Sequence, residues 1–377
     1  GEELQTQQSA IDALIGMVDL SDWQNVQKLV RAGLAAKALA VGDQLTCRRG
    51  SDTLVWDVLG IDADTPADGI HTHTLTLGLH DCYTNLRFDA REALFALPEG
   101  LGPNTYHFTV NAWPSYPADV GKTFRFTLTQ DAPEGAQIVL DANWNTPLAG
   151  TTARVYASPT ATTPIETVTI TEGGGGFALN PVGTGITMVD GDDNYVNAAG
   201  RAILGNSNYA QSSVRQYLNS DAAAGAVWTP KNVFDRAPDW AASTEGFLRG
   251  MDPAFLAVLG TVTKKTANST AADGGAVTTS TEKVFLLSVS EVYGGDVVTG
   301  GEGAAYPYYS ESSELSEPGT AADGNREKQL NGVSAAWWLR TARGNDPAQA
   351  RYLTAAGVVG SSGAGSAMGI APAVCVV

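Results

Sequence analysis

The alternation of apolar and polar positions changes character twice along the chain. Residues 3–17 set Leu4, Ile11, Leu14 and Ile15, with Val18 beyond them, on one side of a helix. A second helix is expected after Ser21-Asp22-Trp23-Gln24, with Ser21 as the capping oxygen and Gln24 three residues on. It carries Val26, Leu29 and Val30 and stops near Gly33. From Val41 the period shortens to two. Strands are expected at 44–48 and 53–59 around the turn Arg49-Gly50-Ser51-Asp52, then at 72–79, 106–112, 123–130, 137–140, 154–157 and 166–171. Beyond Gly173–Gly176, helical spacing returns at Ser207–Asn219 and at Asp252–Leu259, where Asp252 is the cap and Pro253 opens the first turn. Strands follow at 284–288, 335–340, 351–354 and 370–377, with a loop-rich stretch over 294–335.

This pattern predicts an α+β chain: short helices and a β-sandwich-like region first, then a compact α+β domain with long loops. Four consecutive glycines cannot pack and are entropically costly to order, so they mark the expected division. The segments are then 1–35, helical; 36–172, a β-rich attachment or assembly region; 173–176, a linker; and 177–377, a domain that displays a ligand surface.

Charge narrows the partners. Lys and Arg number 23 against 40 Asp and Glu, a net charge of −17, which excludes a phosphate-backbone binder and an anionic membrane surface. No run of apolar residues is long enough to span a bilayer, and Gly1-Glu2-Glu3 has neither the basic head nor the apolar core of a secretion signal. Cys47, Cys82 and Cys375 are odd in number and unpaired in spacing, and read as small buried hydrophobes. His71 and His73 share a strand face, with His80 seven residues on, and Asp190–Asn194 is a turn rich in calcium-compatible oxygens. Both also fit ordinary structure, a half-exposed strand and a solvated turn, and neither metal nor cofactor is expected. The second half has no histidine, and GxSxG, HExxH and phosphate-loop motifs are absent, so no enzyme is expected.

The most informative chemistry is near residue 340. Trp337-Trp338-Leu339-Arg340 is a dense aromatic strand. Two runs of small or polar residues follow, 341–350 and 360–367, before Gly369-Ile370-Ala371-Pro372-Ala373-Val374. Loops on a rigid sheet can change side chains without unfolding the core, so this reads as a frame carrying a replaceable surface.

Together with Ser212-Ser213-Val214-Arg215-Gln216-Tyr217-Leu218-Asn219 and Val284-Phe285-Leu286-Leu287-Ser288-Val289-Ser290-Glu291-Val292, these motifs resemble a known family. It is the C-type-lectin-fold variable proteins of diversity-generating retroelements, in the formylglycine-generating-enzyme-like branch of phages and gut bacteria. The resemblance runs from about residue 178 onward and departs at Thr341-Ala342, where Ser-Pro is usual. It implies a C-terminal C-type-lectin fold and a hypervariable ligand- or receptor-binding protein on a phage tail or head. The implied ligand surface is Thr341, Arg343, Gly344, Asn345, Asp346, Ala348, Ala350, Ser361, Ser362, Ala364, Ser366 and Ala367, on a scaffold of Trp337, Trp338, Leu339, Arg340, Gly369 and Pro372. Arg340 is expected to pair with a carboxylate inside the frame. The implied partners are a bacterial-surface protein or glycan receptor, other virion proteins and further copies of the chain, with no nucleic acid and no membrane insertion. The implied location is the virion surface, or alternatively the bacterial cell surface. A structural virion protein without a ligand is the competing reading. The formylglycine-generating activity needs a cysteine pair for copper, and this domain has Cys375 alone.

Overall fold

The computed structural model describes residues 2–97, 99–110, 117–143, 145–179, 187–188, 195–270, 273–294, 301–309 and 321–377. In chain order the first elements are α1 (Glu2–Ile15), α2 (Trp23–Arg31), α3 (Ala35–Ala38), β1 (Gln44–Arg49), β2 (Asp52–Ile61), β3 (Leu75–Leu79) and β4 (Thr84–Arg87). Then come β5 (Phe95–Ala96), β6 (Thr105–Thr109), β7 (Thr123–Thr127), β8 (Gln137–Leu140), β9 (Thr152–Tyr156), β10 (Glu166–Thr169), β11 (Thr171–Glu172), β12 (Phe177–Ala178) and β13 (Thr187–Met188). The remainder is α4 (Tyr195–Leu204), α5 (Ser213–Leu218), α6 (Pro253–Val258), β14 (Leu259–Gly260), β15 (Val262–Ala267), β16 (Val277–Glu282), β17 (Val284–Phe285) and α7 (Val289–Tyr293), followed by β18 (Lys328–Leu330), β19 (Val333–Ala335), β20 (Trp337–Ala342), β21 (Gln349–Leu353), β22 (Val359–Gly363), β23 (Ala367–Ile370) and β24 (Ala373–Val376). The fold is mixed α+β, mostly strands with few helices.

Two sheets join distant parts of the chain. One runs β1-β2-β3-β24-β14, with β17 also on β24; the other runs β22-β21-β20-β23-β4. Trp338 lies on one face of β20, in a core with Trp56, Phe88, Tyr217 and Phe255. Trp337 lies on the other, with Phe285, Leu339, Leu353 and Tyr293. A third core fills the space between the sheets β10-β9-β8-β5-β13 and β11-β7-β6-β12, where Phe95, Phe108, Phe124 and Phe126 pack with Ile138 and Val155. The sandwich-like region is therefore an insertion running from β5 to β13, between β4 and α4.

The expected division at Gly173–Gly176 is corrected by this topology. Strand β3 pairs with β24 and β4 with β23, and β1 and β2 extend the first of these sheets, so residues 36–172 are not one region and 177–377 are not a separate body. The glycines lie between β11 and β12 of one sheet, where Gly173 N donates to Thr123 O at 2.8 Å and Arg125 Nη1 to Gly174 O at 2.8 Å. Gly176 has φ +70°, and a Cβ there would stand 1.9 Å from Thr105 O, so glycine permits a close backbone approach rather than a hinge.

Two helix expectations also shift. The α2 cap is Asp22, whose Oδ1 accepts from Gln24 N at 2.9 Å, while Ser21 Oγ donates to Asp19 Oδ1. On α1 the apolar face is left open: Leu4, Ile11 and Leu14 are exposed and Ile15 is buried.

The inserted sandwich and the rest of the chain meet at three buried carboxyl groups, Asp89, Glu92 and Asp235. Phe88 belongs to one core, and Leu94 and Phe234 to the other. Asn232 Nδ2 reaches both Glu92 Oε1 at 3.0 Å and Asp235 Oδ1 at 2.9 Å, and Asn206 Nδ2 donates to Glu92 Oε1 at 2.9 Å. Asp89 Oδ2 and Glu92 Oε2 have no hydrogen-bond partner. Burial, then the charge of Glu92, pushes Asp235 up to about 7. Folded Asp235 thus holds a proton that the unfolded chain releases above the ordinary carboxyl range. Its stabilising contribution is complete below that range and is lost as pH rises through about 7. Thermal unfolding of the parent chain should therefore lose stability between about pH 4 and 7 relative to Asp235→Asn, and two parallel pH profiles would refute this account.

Candidate ligand surface on the C-terminal sheet

The frame begins at Arg340, which is fully buried. Its guanidinium grips both oxygens of Glu291, with Nη2 to Oε1 at 2.9 Å. The remaining donors go to Leu286 O at 2.8 Å, Lys265 O at 2.9 Å and Thr266 Oγ1 at 3.2 Å. Glu291 also completes a capping box on α7, accepting from Ser288 N at 2.9 Å while Ser288 Oγ accepts from Glu291 N.

Behind this pair the network continues. Lys264 Nζ donates to Glu291 Oε1 at 2.8 Å, to Tyr306 OH at 2.6 Å and to Asp64. Asp64 Oδ2 accepts from Thr76 Oγ1 at 2.6 Å and Tyr306 OH at 2.7 Å. Burial alone would raise the Glu291 pKa, but Arg340 and Lys264 outweigh it and hold the group at about 2. A cleft of about 600 Å³ opens beside these groups, lined by Asp64, Lys264, Glu291, Glu302 and Tyr306.

The residues expected on the ligand surface separate into two sets. Thr341, Ala348, Ala350 and Ala364 are buried, which corrects their placement. Thr341 continues the aromatic strand, and its Oγ1 accepts from Val289 N at 2.9 Å and donates to Glu302. Ala350 faces the Trp338 side of the sheet; Ala348 and Ala364 join two turns through Ala364 N to Ala348 O at 2.9 Å. Arg343, Gly344, Asp346, Ser361, Ser362 and Ser366 are half-buried, and Asn345 and Ala367 are exposed. Residues 360–363 are not a loop, because Val359–Gly363 is the edge strand β22.

Both turns are pinned. Thr270 N donates to Gly344 O at 2.6 Å, Ser207 Oγ to Pro347 O at 2.7 Å and Asp89 N to Ala364 O at 3.0 Å. Gln349, Arg351 and Tyr352 are half-buried on the adjacent β21 and were outside the expected set. Their position beside β22 follows from strand pairing, which sets Arg351 opposite Ser361 and Tyr352 opposite Gly360. The scaffold residues Trp337, Trp338, Leu339, Arg340 and Gly369 are buried. Pro372 precedes β24, and its carbonyl accepts from Leu79 N at 2.9 Å.

The metal candidates do not converge. His71, His73 and His80 each hold a separate aspartate, through Nδ1 to Asp68 at 2.6 Å, Asp62 at 3.1 Å and Asp57 at 2.8 Å. Asp190–Asn194 lies outside the described residues. Among the described residues no three His, Cys, Asp or Glu side chains are grouped to hold a metal ion. Cys47, Cys82 and Cys375 are buried free thiols; burial pushes Cys47 up to about 11 and Cys82 to about 12. Among the described residues no helix is long and apolar enough to cross a membrane.

A family model described as a domain of unknown function (DUF6273) matches residues 189–377, half of the chain. No curated protein and no solved structure matches the chain.

Removing the Glu291 charge strands Arg340 in the core, and breaking a buried pair from one side costs about 3–5 kcal/mol. Glu291→Gln should lower the unfolding free energy on that scale in denaturant titrations. Because folded Glu291 sits near 2, its contribution is present above the ordinary carboxyl range and is lost as pH falls from there toward 2. The variant should lack that acid-side loss; a parent-like acid profile would refute the assignment.

Proposed function

The chain belongs to the DUF6273 family, whose function is unknown, and on its sequence resemblance and surface geometry we propose that it is a ligand-binding display protein, the variable protein of a diversity-generating retroelement carried by a phage. In this reading β20 to β23 form a C-type-lectin-type frame, and β1 to β4 complete its sheets. The observation that carries the proposal is a contrast along one short stretch. Trp337, Trp338, Leu339 and Arg340 are wholly buried, whereas Arg343, Asn345 and Asp346, only a few residues on, reach solvent on a pinned turn. Ser361, Ser362, Ser366 and Ala367 reach solvent on the neighbouring strands and turn. Such a surface can vary while its frame stays fixed. Its ligand is a bacterial-surface protein or glycan, and the work is binding, not catalysis.

The particle-attachment part of the proposal draws on α1. Leu4, Ile11 and Leu14 stand exposed on a helix too short to be stable alone in water, and Met17 is exposed in the turn that follows it. Their burial against further copies or other virion proteins would complete it, and multivalent display would raise the avidity of a small surface. A structural virion component without a ligand shares this attachment and differs only in the outcome at the variable surface.

Two measurements test these statements. Substitutions at Arg343, Asn345, Asp346, Ser361, Ser362 and Ser366 should change binding to a panel of bacterial cells while shifting stability by less than about 0.5 kcal/mol. Trp338→Ala should cost about 3–5 kcal/mol. Should the surface panel unfold as readily as the tryptophan variant, or leave cell binding untouched, the display reading fails. For attachment, the parent chain should scatter light as an oligomer and the double substitution Ile11→Asp, Leu14→Asp should reduce its mass; a monomeric parent absent from any particle sinks this part.

A further inference from the structure

Arg343 and Arg351, both half-buried, flank Gln349 on the candidate surface. Arg343 Nη1 donates to Gln349 Oε1 at 3.0 Å, and Gln349 stands two residues before Arg351 on the same face of β21. Opposite Arg351, across the strand pair, is Ser361. The Nε of Arg351 is buried and has no hydrogen-bond partner. Among the described residues no carboxylate within ion-pair distance balances either arginine. The acid of the same turn, Asp346, is otherwise engaged, accepting from Ala348 N at 2.9 Å and from Gln349 Nε2 at 2.7 Å. Burial, and after it the charge of Arg343, pushes the Arg351 guanidinium below its ordinary range.

A buried guanidinium Nε without a partner, beside a second arginine, carries a desolvation cost that a bound anion would offset. This is more pointed in a chain of net charge −17, where carboxylates are plentiful and, among the described residues, none lies within ion-pair distance of either guanidinium. We propose that Arg343 and Arg351 receive the carboxylate of an acidic saccharide, with Ser361, Gln349 and Asn345 meeting its hydroxyls. The location rests on the display reading above. A saccharide is favoured over a peptide because the flanks are hydroxyl and amide groups, and no large apolar side chain is exposed from Trp337 to Val377. The overall negative charge repels anions at long range, but at physiological salt that field is screened within about 8 Å. At contact, charge-assisted N–H···O bonds from a guanidinium fork dominate.

The test is calorimetric titration of the full chain with four probes: a galacturonate trimer, the neutral galactose trimer, inorganic phosphate and a glutamate hexapeptide. The uronate should bind at least about tenfold more tightly than the other three and lose affinity with added salt. Arg351→Met and Arg343→Gln should each weaken it by about tenfold or more. Arg351→Met keeps the apolar stem and removes an unpaired charge, so it should melt no lower than the parent. A lower melting point would make Arg351 structural and overturn the proposal. Equal binding of the neutral sugar, of phosphate or of the peptide would overturn it too, the last in favour of a protein ligand. If the uronate fails to bind while exchanging the 341–350 and 360–367 runs still alters cell binding, the display surface stands and the anion assignment falls.

Discussion

The ion pair between Arg340 and Glu291 is the constraint on which the C-terminal architecture depends. Two charges taken out of water gain little net stability, since desolvation offsets most of their attraction, but they tolerate few geometries. Here every donor of the guanidinium has a named acceptor, on α7, on Leu286 just after β17 and on β15. Lys264 extends the same lattice to Asp64, three residues beyond β2. Four separate pieces of chain are thereby held in one mutual arrangement. Arg343, Asn345, Ser361 and Ser362 lie outside this network.

The inserted sandwich is built on a different principle. Its core is aromatic and aliphatic, with Phe95, Phe108 and Phe126 in mutual ring contact at 5.1 to 6.4 Å. It meets the frame through carboxyl groups that have no basic partner among the described residues, and its seat is held by amide and hydroxyl donors to those carboxyls and by Arg91 and Arg236 on backbone carbonyls of the sandwich. The turn that carries Ala364 rests on the same seam through Asp89 N, which places the candidate surface and the insertion on a shared support.

Local features were legible in the sequence and long-range ones were not. The strand at 137–140 and the Asp252 cap depend on neighbours within a few residues, and both are present as expected. The carboxylate partner expected for Arg340 is present, yet its identity was within reach only through the Ser288-x-x-Glu291 capping signature, which marks a helix start and says nothing of a guanidinium. Lys264 and Asp64 are 200 residues apart, and no periodicity spans that distance. The tetraglycine misled because flexibility and close approach call for the same residue. Ala348, Ala350 and Ala364 looked replaceable because small residues serve tight packing as readily as exposed turns.

The place of β24 in its sheet sets an order on folding. It lies between β3 and β14, and Thr76 touches Cys375 across 299 residues of sequence. During synthesis β2 and β3 leave the ribosome long before the strand that covers them exists. The insertion, whose contacts are mostly local, can close first and shorten the effective loop that the central sheet must bridge. Until β24 arrives, β3 presents an apolar edge, Leu75, Leu77 and Leu79, with unpaired backbone groups. The strand most central in the finished protein is thus the one most vulnerable to wrong partners while the chain is being made.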